Sequence, residues 1–245
     1  MSPTSVGSEF RDDLQRSERL FGPAIEAPGM GKCMLEPPSM LKPAIHEKLL
    51  AVIALVSKDP SSEFPRKSKA VVKFVDGLGR ADLMALLNNS GVIPEVYGHD
   101  SSEEKLYAKA MDSIVAASMK LLGYDSTVYV ERSNKADVGA RWTGNQAHSV
   151  VLDAKAFRLS RTAKNPKDYK IEALNAWRAA DRATYACLVA PAGGFPIGNS
   201  RLYAEATTYN VALISFSHLR FALDHGIKGK DGLRKVLDVP TLPRS

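Results

Sequence analysis

The sequence is poor in cysteine, and this excludes several classes of small stabilised or metal-binding domain. Only Cys33 and Cys187 occur among its 245 residues, far apart and in no C-x-x-C arrangement. Disulfide frameworks and cysteine–zinc sites need more cysteines at closer spacing. We therefore expect a protein of the reducing cytoplasm that folds without disulfide bonds.

The chain also lacks long apolar runs and paired histidines. It has no stretch of about 18 apolar residues, so no membrane-spanning helix is expected. The first 20 residues, MSPTSVGSEFRDDLQRSERL, contain no apolar segment of the kind that secretory signals carry. The five histidines form no H-x-x-x-H pair, which disfavours a zincin-type metal site.

What remains is an ordinary globular composition with a modest excess of positive charge. Apolar residues make up 44% of the chain and charged residues 24%, and the formal net charge is +6. An excess of this size fits a polyanionic partner without requiring one, so the places where the charge is concentrated are more informative.

Proline and glycine divide the chain into two parts. Residues 1–44 hold six prolines and four glycines, a composition that cannot maintain a long helix or strand. They are predicted to form an extended arm. Residues 45–245 are predicted to form the folded domain, with a helical part at 45–123 and the remainder at 124–245.

Hydrophobic periodicity changes after Gly123. Before it, apolar residues recur at helical spacing in HEKLLAVIALVSK, KAVVKFVDGL, RADLMALLNNSG and SSEEKLYAKAMDSIVAASMKLLG. After it come three strand-like segments, STVYVERS, ADVGARWT and SVVLDAKAF. Helix and strand patterns then alternate through KDYKIEALNAWRAAD, ATYACLVAP, SRLYAEATT, NVALISF and SHLRFALDHG. This order predicts a mixed β-sheet flanked by helices, of the α/β or α+β class.

An acid and an amine share one face of the predicted strand SVVLDAKAF. Side chains alternate along a strand, so Asp153 and Lys155 emerge on the same side. Removing two charges from water costs several kcal/mol per ion, and such a pair therefore needs a reason. A structural ion pair at the end of a strand is the ordinary one.

A second carboxylate favours a functional explanation for the pair of Asp153 and Lys155. Asp137 lies in ADVGARW, and the turn-like TGNQAHS separates this segment from the strand of Asp153. A hairpin would bring the two acids together, and they would repel each other unless a divalent cation lay between them. Two carboxylates and a lysine on adjacent strands are the layout of PD-(D/E)XK nucleases.

Each residue type has a use in that chemistry. Asp137 and Asp153, with the carbonyl of Ala154, would hold Mg²⁺, for which Mn²⁺ could substitute. The metal would polarise a phosphate and lower the pKa of a bound water. Lys155 would orient that water and stabilise the developing negative charge. Glu104 is a candidate for a further, outer carboxylate, although it also fits a capping box with Ser101, which is the more frequent role.

Cations follow Lys155 at every third position as far as Lys170. Such a run is usually a solvated face, but its position directly after the candidate catalytic lysine favours contacts with DNA phosphates. Arginine, serine and asparagine in the same segment could also donate to base edges. The predicted DNA-binding residues are Arg158, Ser160, Arg161, Lys164, Asn165, Lys167 and Lys170.

The segment LDAKAFRLSRTAKNPKDYKIEALNAWR closely resembles the signature of the HindIII family of restriction endonucleases. The resemblance extends to KADVG, SSEEKLYAKAMD, GVIPEVY, YACLVAP and ISFSHLRFAL, and covers roughly residues 46–223. It implies a PD-(D/E)XK fold and Mg²⁺-dependent cleavage of double-stranded DNA at a palindrome, usually by a homodimer. It further implies the site AAGCTT, cut after the first A to leave 5′-phosphate and 3′-hydroxyl ends, and a separately encoded methyltransferase that protects the host.

The family's metal-binding acids fall on Asp137 and Asp153, and its lysine falls on Lys155. Two features depart from the family pattern: Ala136 replaces the proline of the motif, and the family's long helical C-terminal portion has no counterpart after LRKVLDVPTLPRS. A sequence-specific endonuclease is the leading interpretation. A structure-specific repair or recombination nuclease of the same fold, and a catalytically silent DNA-binding module, are the alternatives.

Overall fold

The computed structural model describes residues 43–129, 135–160, 166–196, 200–227 and 232–239. The predicted arm at 1–44 lies outside these ranges except for its last two residues. Three predicted DNA contacts, Arg161, Lys164 and Asn165, also lie outside them. No helix within the described ranges has the length and apolar character needed to cross a membrane.

Four helices precede the sheet, as the helical periodicity predicts. They are α1 (Pro43–Ser57), α2 (Phe64–Asp76), α3 (Arg80–Asn88) and α4 (Ser102–Leu121). The C-cap of α3 is Asn89, and Gly91 follows it closely with a φ of 86°. Helix α4 is buried over most of its circumference, which gives it a central place in the domain.

Five strands form one mixed sheet in the order β1-β2-β3-β4-β5. They are β1 (Asp125–Val128), β2 (Val138–Trp142), β3 (His148–Ala154), β4 (Tyr185–Ala190) and β5 (Val211–Ser215). The first three are antiparallel neighbours, whereas β3, β4 and β5 run parallel. The predicted mixed sheet flanked by helices is confirmed.

The remaining helices connect or follow the parallel strands. They are α5 (Ile171–Ala180), α6 (Arg201–Tyr209), α7 (Phe216–Asp224) and α8 (Arg234–Leu237), with short 3₁₀ turns at Pro166–Tyr169 and Ala192–Gly194. Lys170 adopts a φ of 51° and divides the single helix predicted for KDYKIEALNAWRAAD into a 3₁₀ turn and α5. The N-cap of α7 is Ser215, which forms a capping box with His218.

Strand β3 lies in the middle of the sheet and is covered on both faces. Val150, Leu152 and Ala154 pack into an apolar cluster with the N-terminal helices, α4 and α7. Val151 packs into a second cluster with α5 and α6. Because successive residues alternate between these clusters, Asp153 is directed into a covered face, and only 1% of it is exposed.

Candidate active site

The antiparallel hairpin of β2 and β3 places Asp137 opposite Asp153. Val138 pairs with Leu152, and continuing this register by one residue brings the two acids face to face. The amide of Tyr129 donates to the carbonyl of Asp137 at 2.8 Å, which also holds the backbone of Asp137 against the end of β1. The structure thus brings together the two acids that the sequence selects.

Lys155 joins them from the C-terminal end of β3. Its amide donates to the carbonyl of Val189 at 2.8 Å and so continues the ladder between β3 and β4 by one residue. Its Nζ lies 2.5 Å from Oδ2 of Asp153. The side chain of Lys155 is 18% exposed, whereas that of Asp153 is 1% exposed. The amine therefore lies between a buried carboxylate and the solvent.

The carboxylate of Asp153 is incompletely satisfied. Both of its oxygens are buried, and neither has a hydrogen-bond partner of good geometry in the described part of the chain. Burial raises the pKa of Asp153 to about 7; Lys155 opposes this shift and Asp137 adds to it. A buried acid in this condition destabilises the fold unless something else binds it.

The pKa of Asp137 is shifted in the opposite direction. Burial alone would raise its pKa, but hydrogen bonding with Asp153 and the positive charges of Lys109 and Lys155 together lower it below its ordinary value. At neutral pH an ionised Asp137 therefore faces an Asp153 that exchanges its proton close to neutrality. The pair can give up that proton when a cation arrives.

Helix α4 contributes two charged residues that the sequence interpretation missed. Nζ of Lys109 lies 2.9 Å from Oδ1 of Asp137 and 2.8 Å from Oδ2 of Asp112. Burial would lower the pKa of Lys109, but the two carboxylates outweigh it and raise that pKa. For Asp112, burial is the main cause that raises the pKa, with Asp137 adding to it. The available signal was a lysine and an aspartate three positions apart in the otherwise apolar segment YAKAMDSI.

Glu104, the predicted outer carboxylate, makes other contacts. Its amide donates to the hydroxyl of Ser101 at 3.1 Å, and its Oε2 accepts a hydrogen bond from the amide of Asp100 at 2.6 Å. Its Oε1 lies 3.2 Å from a guanidinium nitrogen of Arg158. Ser101 is thus the N-cap of α4, without the reciprocal hydrogen bond that a capping box needs, and the Glu104 side chain binds the amide of Asp100 and the guanidinium of Arg158. The acid that α4 brings to Asp137 is Asp112.

Two of the predicted DNA-binding residues are held by the loop that precedes α4. Arg158 donates to the carbonyls of Tyr97 and Gly98 at 2.8 and 3.2 Å, and it pairs with Glu104 and Glu95. Its side chain is only 17% exposed.

Ser160 is anchored in the same way, because its amide and its hydroxyl each lie 3.1 Å from the carboxylate of Glu95. Lys167 and Lys170, by contrast, are exposed.

The donor set at the strand ends suits magnesium. Mg²⁺ prefers oxygen ligands and is usually bound through one or two carboxylates while it keeps several waters. Asp153 offers two buried carboxylate oxygens, Asp137 lies opposite, and the carbonyl of Ala154 belongs to the same strand end. Within the described ranges, no group of three or more His, Cys, Asp or Glu side chains could hold a metal.

A mixed sheet with paired acids on its hairpin and a lysine after the second acid defines the restriction-endonuclease-like class of PD-(D/E)XK folds. The sequence model of the HindIII restriction endonuclease family matches residues 46–238, from the first helix to the last described segment. The chain belongs to the HindIII restriction endonuclease family.

The chain is similar to individual proteins in both sequence and structure. The chain is 36% identical over 183 residues to the type II restriction enzyme HindIII of Haemophilus influenzae, which covers 75% of this chain and 59% of that enzyme. It therefore spans about three fifths of the length of that relative. Structures of restriction endonuclease FokI, alone and bound to DNA, align with a TM-score of 0.46 and 15% identity. These alignments cover 74% and 73% of this chain, and 34% and 33% of those chains.

Proposed function

We propose that this protein is a type II restriction endonuclease that cleaves double-stranded DNA in a Mg²⁺-dependent reaction. The observation that carries the proposal is the convergence of Asp137, Asp153 and Lys155 at the end of the β2–β3 hairpin, where the carboxylate of Asp153 is buried against the ammonium of Lys155. Membership of the HindIII family supports the same activity.

The roles of the residues follow from their positions. Asp137 and Asp153, with the carbonyl of Ala154, would hold Mg²⁺. When bound, the ion would polarise the scissile phosphate and lower the pKa of an attacking water. Lys155, with its amine at the edge of the buried site, would orient that water and stabilise the negative charge that develops on the phosphate oxygens. Attack in line with the 3′ oxygen would leave 5′-phosphate and 3′-hydroxyl ends.

We further propose a recognition sequence and an oligomeric state. We take the target to be the palindrome AAGCTT, cut after the first A, because the chain is 36% identical to HindIII over 183 residues and the family model covers the hairpin and the segment that follows it. A palindrome presents the same bases to two protomers related by a two-fold axis, so a homodimer would cut both strands. A separately encoded methyltransferase would protect the host genome in a restriction–modification defence system.

Cleavage of two matched plasmids tests this function. One plasmid carries a single AAGCTT and the other has one base of that site changed; each is incubated with the full chain in Mg²⁺ or in EDTA. We expect the first plasmid alone to be linearised, only with Mg²⁺, and end sequencing to place the cut after the first A. Discrete cuts elsewhere would overturn the target but not the enzyme class.

Two other outcomes would overturn the proposal of a restriction endonuclease. Cutting confined to branched or damaged DNA would indicate a structure-specific nuclease. Tight DNA binding without any cutting, in Mg²⁺ or Mn²⁺, would indicate a silent DNA-binding module.

A further inference from the structure

Helix α4 inserts an ammonium group between two carboxylates at the edge of the candidate active site. Nζ of Lys109 lies 2.8 Å from Asp112 and 2.9 Å from Asp137, so it bridges the two acids. The side chain of Lys109 is 15% exposed and that of Asp112 is 5% exposed. A cation placed in this way occupies the position that a metal ion would take between two acids.

The two lysines of the site are held differently. Lys155 forms its ion pair with one acid, Asp153, at the solvent-facing end of β3. Lys109 is fixed by two acids, one of them buried on its own helix three residues further on. Bridging fixes the position of the amine, because movement away from Asp112 would leave a buried carboxylate without its counter-charge. Lys155 is therefore placed to act on a substrate, and Lys109 is placed to stay where it is.

We propose that Lys109 is a positioning residue that serves as a built-in cation. It occupies the place between Asp112 and Asp137, prevents a divalent ion from binding there, and leaves Asp137 directed to the ion that it would share with Asp153. This inference rests on the proposed function, since it takes Asp137 and Asp153 to be the metal ligands. Asp112 then has the task of holding Lys109 and is not itself a ligand in the native protein.

The consequence is a gain of a metal site when the ammonium is removed. In Lys109→Met, two acids face each other without their bridging cation, and a divalent ion is the species that would best relieve their repulsion. In the double variant Lys109→Met/Asp112→Asn, one of the two acids is replaced by a neutral amide, and the extra site should not form.

Calcium titration calorimetry on the full chain without DNA tests the proposal, because it counts bound ions and does not depend on cleavage. Lys105→Met is the matched control, since Lys105 is an exposed lysine one turn earlier on the same helix. We expect Lys109→Met to bind one more Ca²⁺ per chain than the wild type. The double variant and the control should both bind the wild-type number.

The outcomes separate this inference from the proposed function. If the wild type binds no divalent ion, the proposed metal site fails. If the wild type binds Ca²⁺ and Lys109→Met gains no ion, the proposal for Lys109 is wrong and the proposed metal site of Asp137 and Asp153 still stands.

A measurement on the wild type covers the case in which Lys109→Met does not fold. Reductive methylation read by mass spectrometry should find Lys109 protected and Lys105 reactive, equally with and without saturating Ca²⁺. A rise in Lys109 reactivity on adding Ca²⁺ would mean that the metal displaces the ammonium, and would overturn the proposal.

Discussion

The ammonium of Lys155 lies 2.5 Å from the carboxylate of Asp153, at the point where β3 leaves the buried sheet. One partner is almost completely buried and the other is partly exposed, so the pair connects the interior of the site to the surface on which DNA would lie. A substitution at either residue should therefore lower the rate of cleavage more than it lowers the affinity for DNA.

Replacing Lys155 by alanine should slow cleavage severely and leave DNA affinity nearly intact. The lost amine would no longer stabilise charge on the phosphate, and removal of one such donor costs roughly 100-fold to 1000-fold in rate. Single-turnover cleavage with saturating enzyme and Mg²⁺ measures the rate, and a gel-shift titration in Ca²⁺ measures the affinity. Lys105→Ala, an exposed lysine on α4, is the control and should match the wild type. An equal loss of affinity and rate would assign Lys155 to binding.

Replacing Asp153 by asparagine should stabilise the metal-free protein while it removes activity. The neutral amide would take no charge into the interior, whereas the carboxylate of Asp153 has both of its oxygens buried. Lys155 would lose its partner, but its partly exposed amine can reach water. Thermal unfolding in EDTA should show a higher Tm for Asp153→Asn than for wild type. Asp125→Asn, at an exposed position of β1, should leave the Tm unchanged.

The difference in Tm between Asp153→Asn and the wild type should depend on pH. The pKa of Asp153 is raised to about 7 in the fold, above its unfolded value, so the folded protein binds this proton more tightly. The stability that proton binding at Asp153 gives the wild type is complete below the unfolded pKa of about 4. It is lost as the pH rises through 7. The Tm advantage of Asp153→Asn in EDTA should therefore grow between pH 5 and pH 8. An advantage that stays constant over this range would show that Asp153 does not titrate within it.

The sequence alone was enough to find the acids and the lysine, because their relation is set by local rules. Alternation along β3 puts Asp153 and Lys155 on one side, and the short connection between β2 and β3 allows a hairpin in which Asp137 meets Asp153. The mixed sheet was predictable for the same reason, since each strand is marked by its own residues.

Contacts between distant segments were not predictable in this way. Lys109 reaches Asp137 only because α4 packs against the hairpin, and an apolar stripe on a helix does not say which strand the helix will cover. Arg158 and Ser160 looked like DNA contacts because of the cations around them. Their partners, Glu104 and Glu95, lie 54 and 65 positions earlier, and no periodicity in the sequence joins them.

Arg158 should therefore act mainly on stability. Its guanidinium holds two backbone carbonyls and two glutamates, and hydrogen bonds to charged groups contribute about 1.5–3 kcal/mol each when partners are removed from water. Arg158→Met should lower the free energy of unfolding by about that amount, measured by urea denaturation. Lys170→Met, an exposed cation of the same segment, is the comparison and should leave stability unchanged. If Arg158→Met is as stable as the wild type, the prediction that Arg158 contacts DNA would again be favoured.

Lys170 should show the converse behaviour in DNA binding. Lys170 is exposed at the break between the 3₁₀ turn and α5, and a lysine that contacts one phosphate contributes one unit to the salt dependence of affinity. Lys170→Met should weaken binding to cognate and non-cognate duplexes alike and reduce the slope of log affinity against log salt by about 1. Fluorescence anisotropy at several salt concentrations in Ca²⁺ measures both effects. A slope identical to that of the wild type would remove Lys170 from the DNA-binding surface.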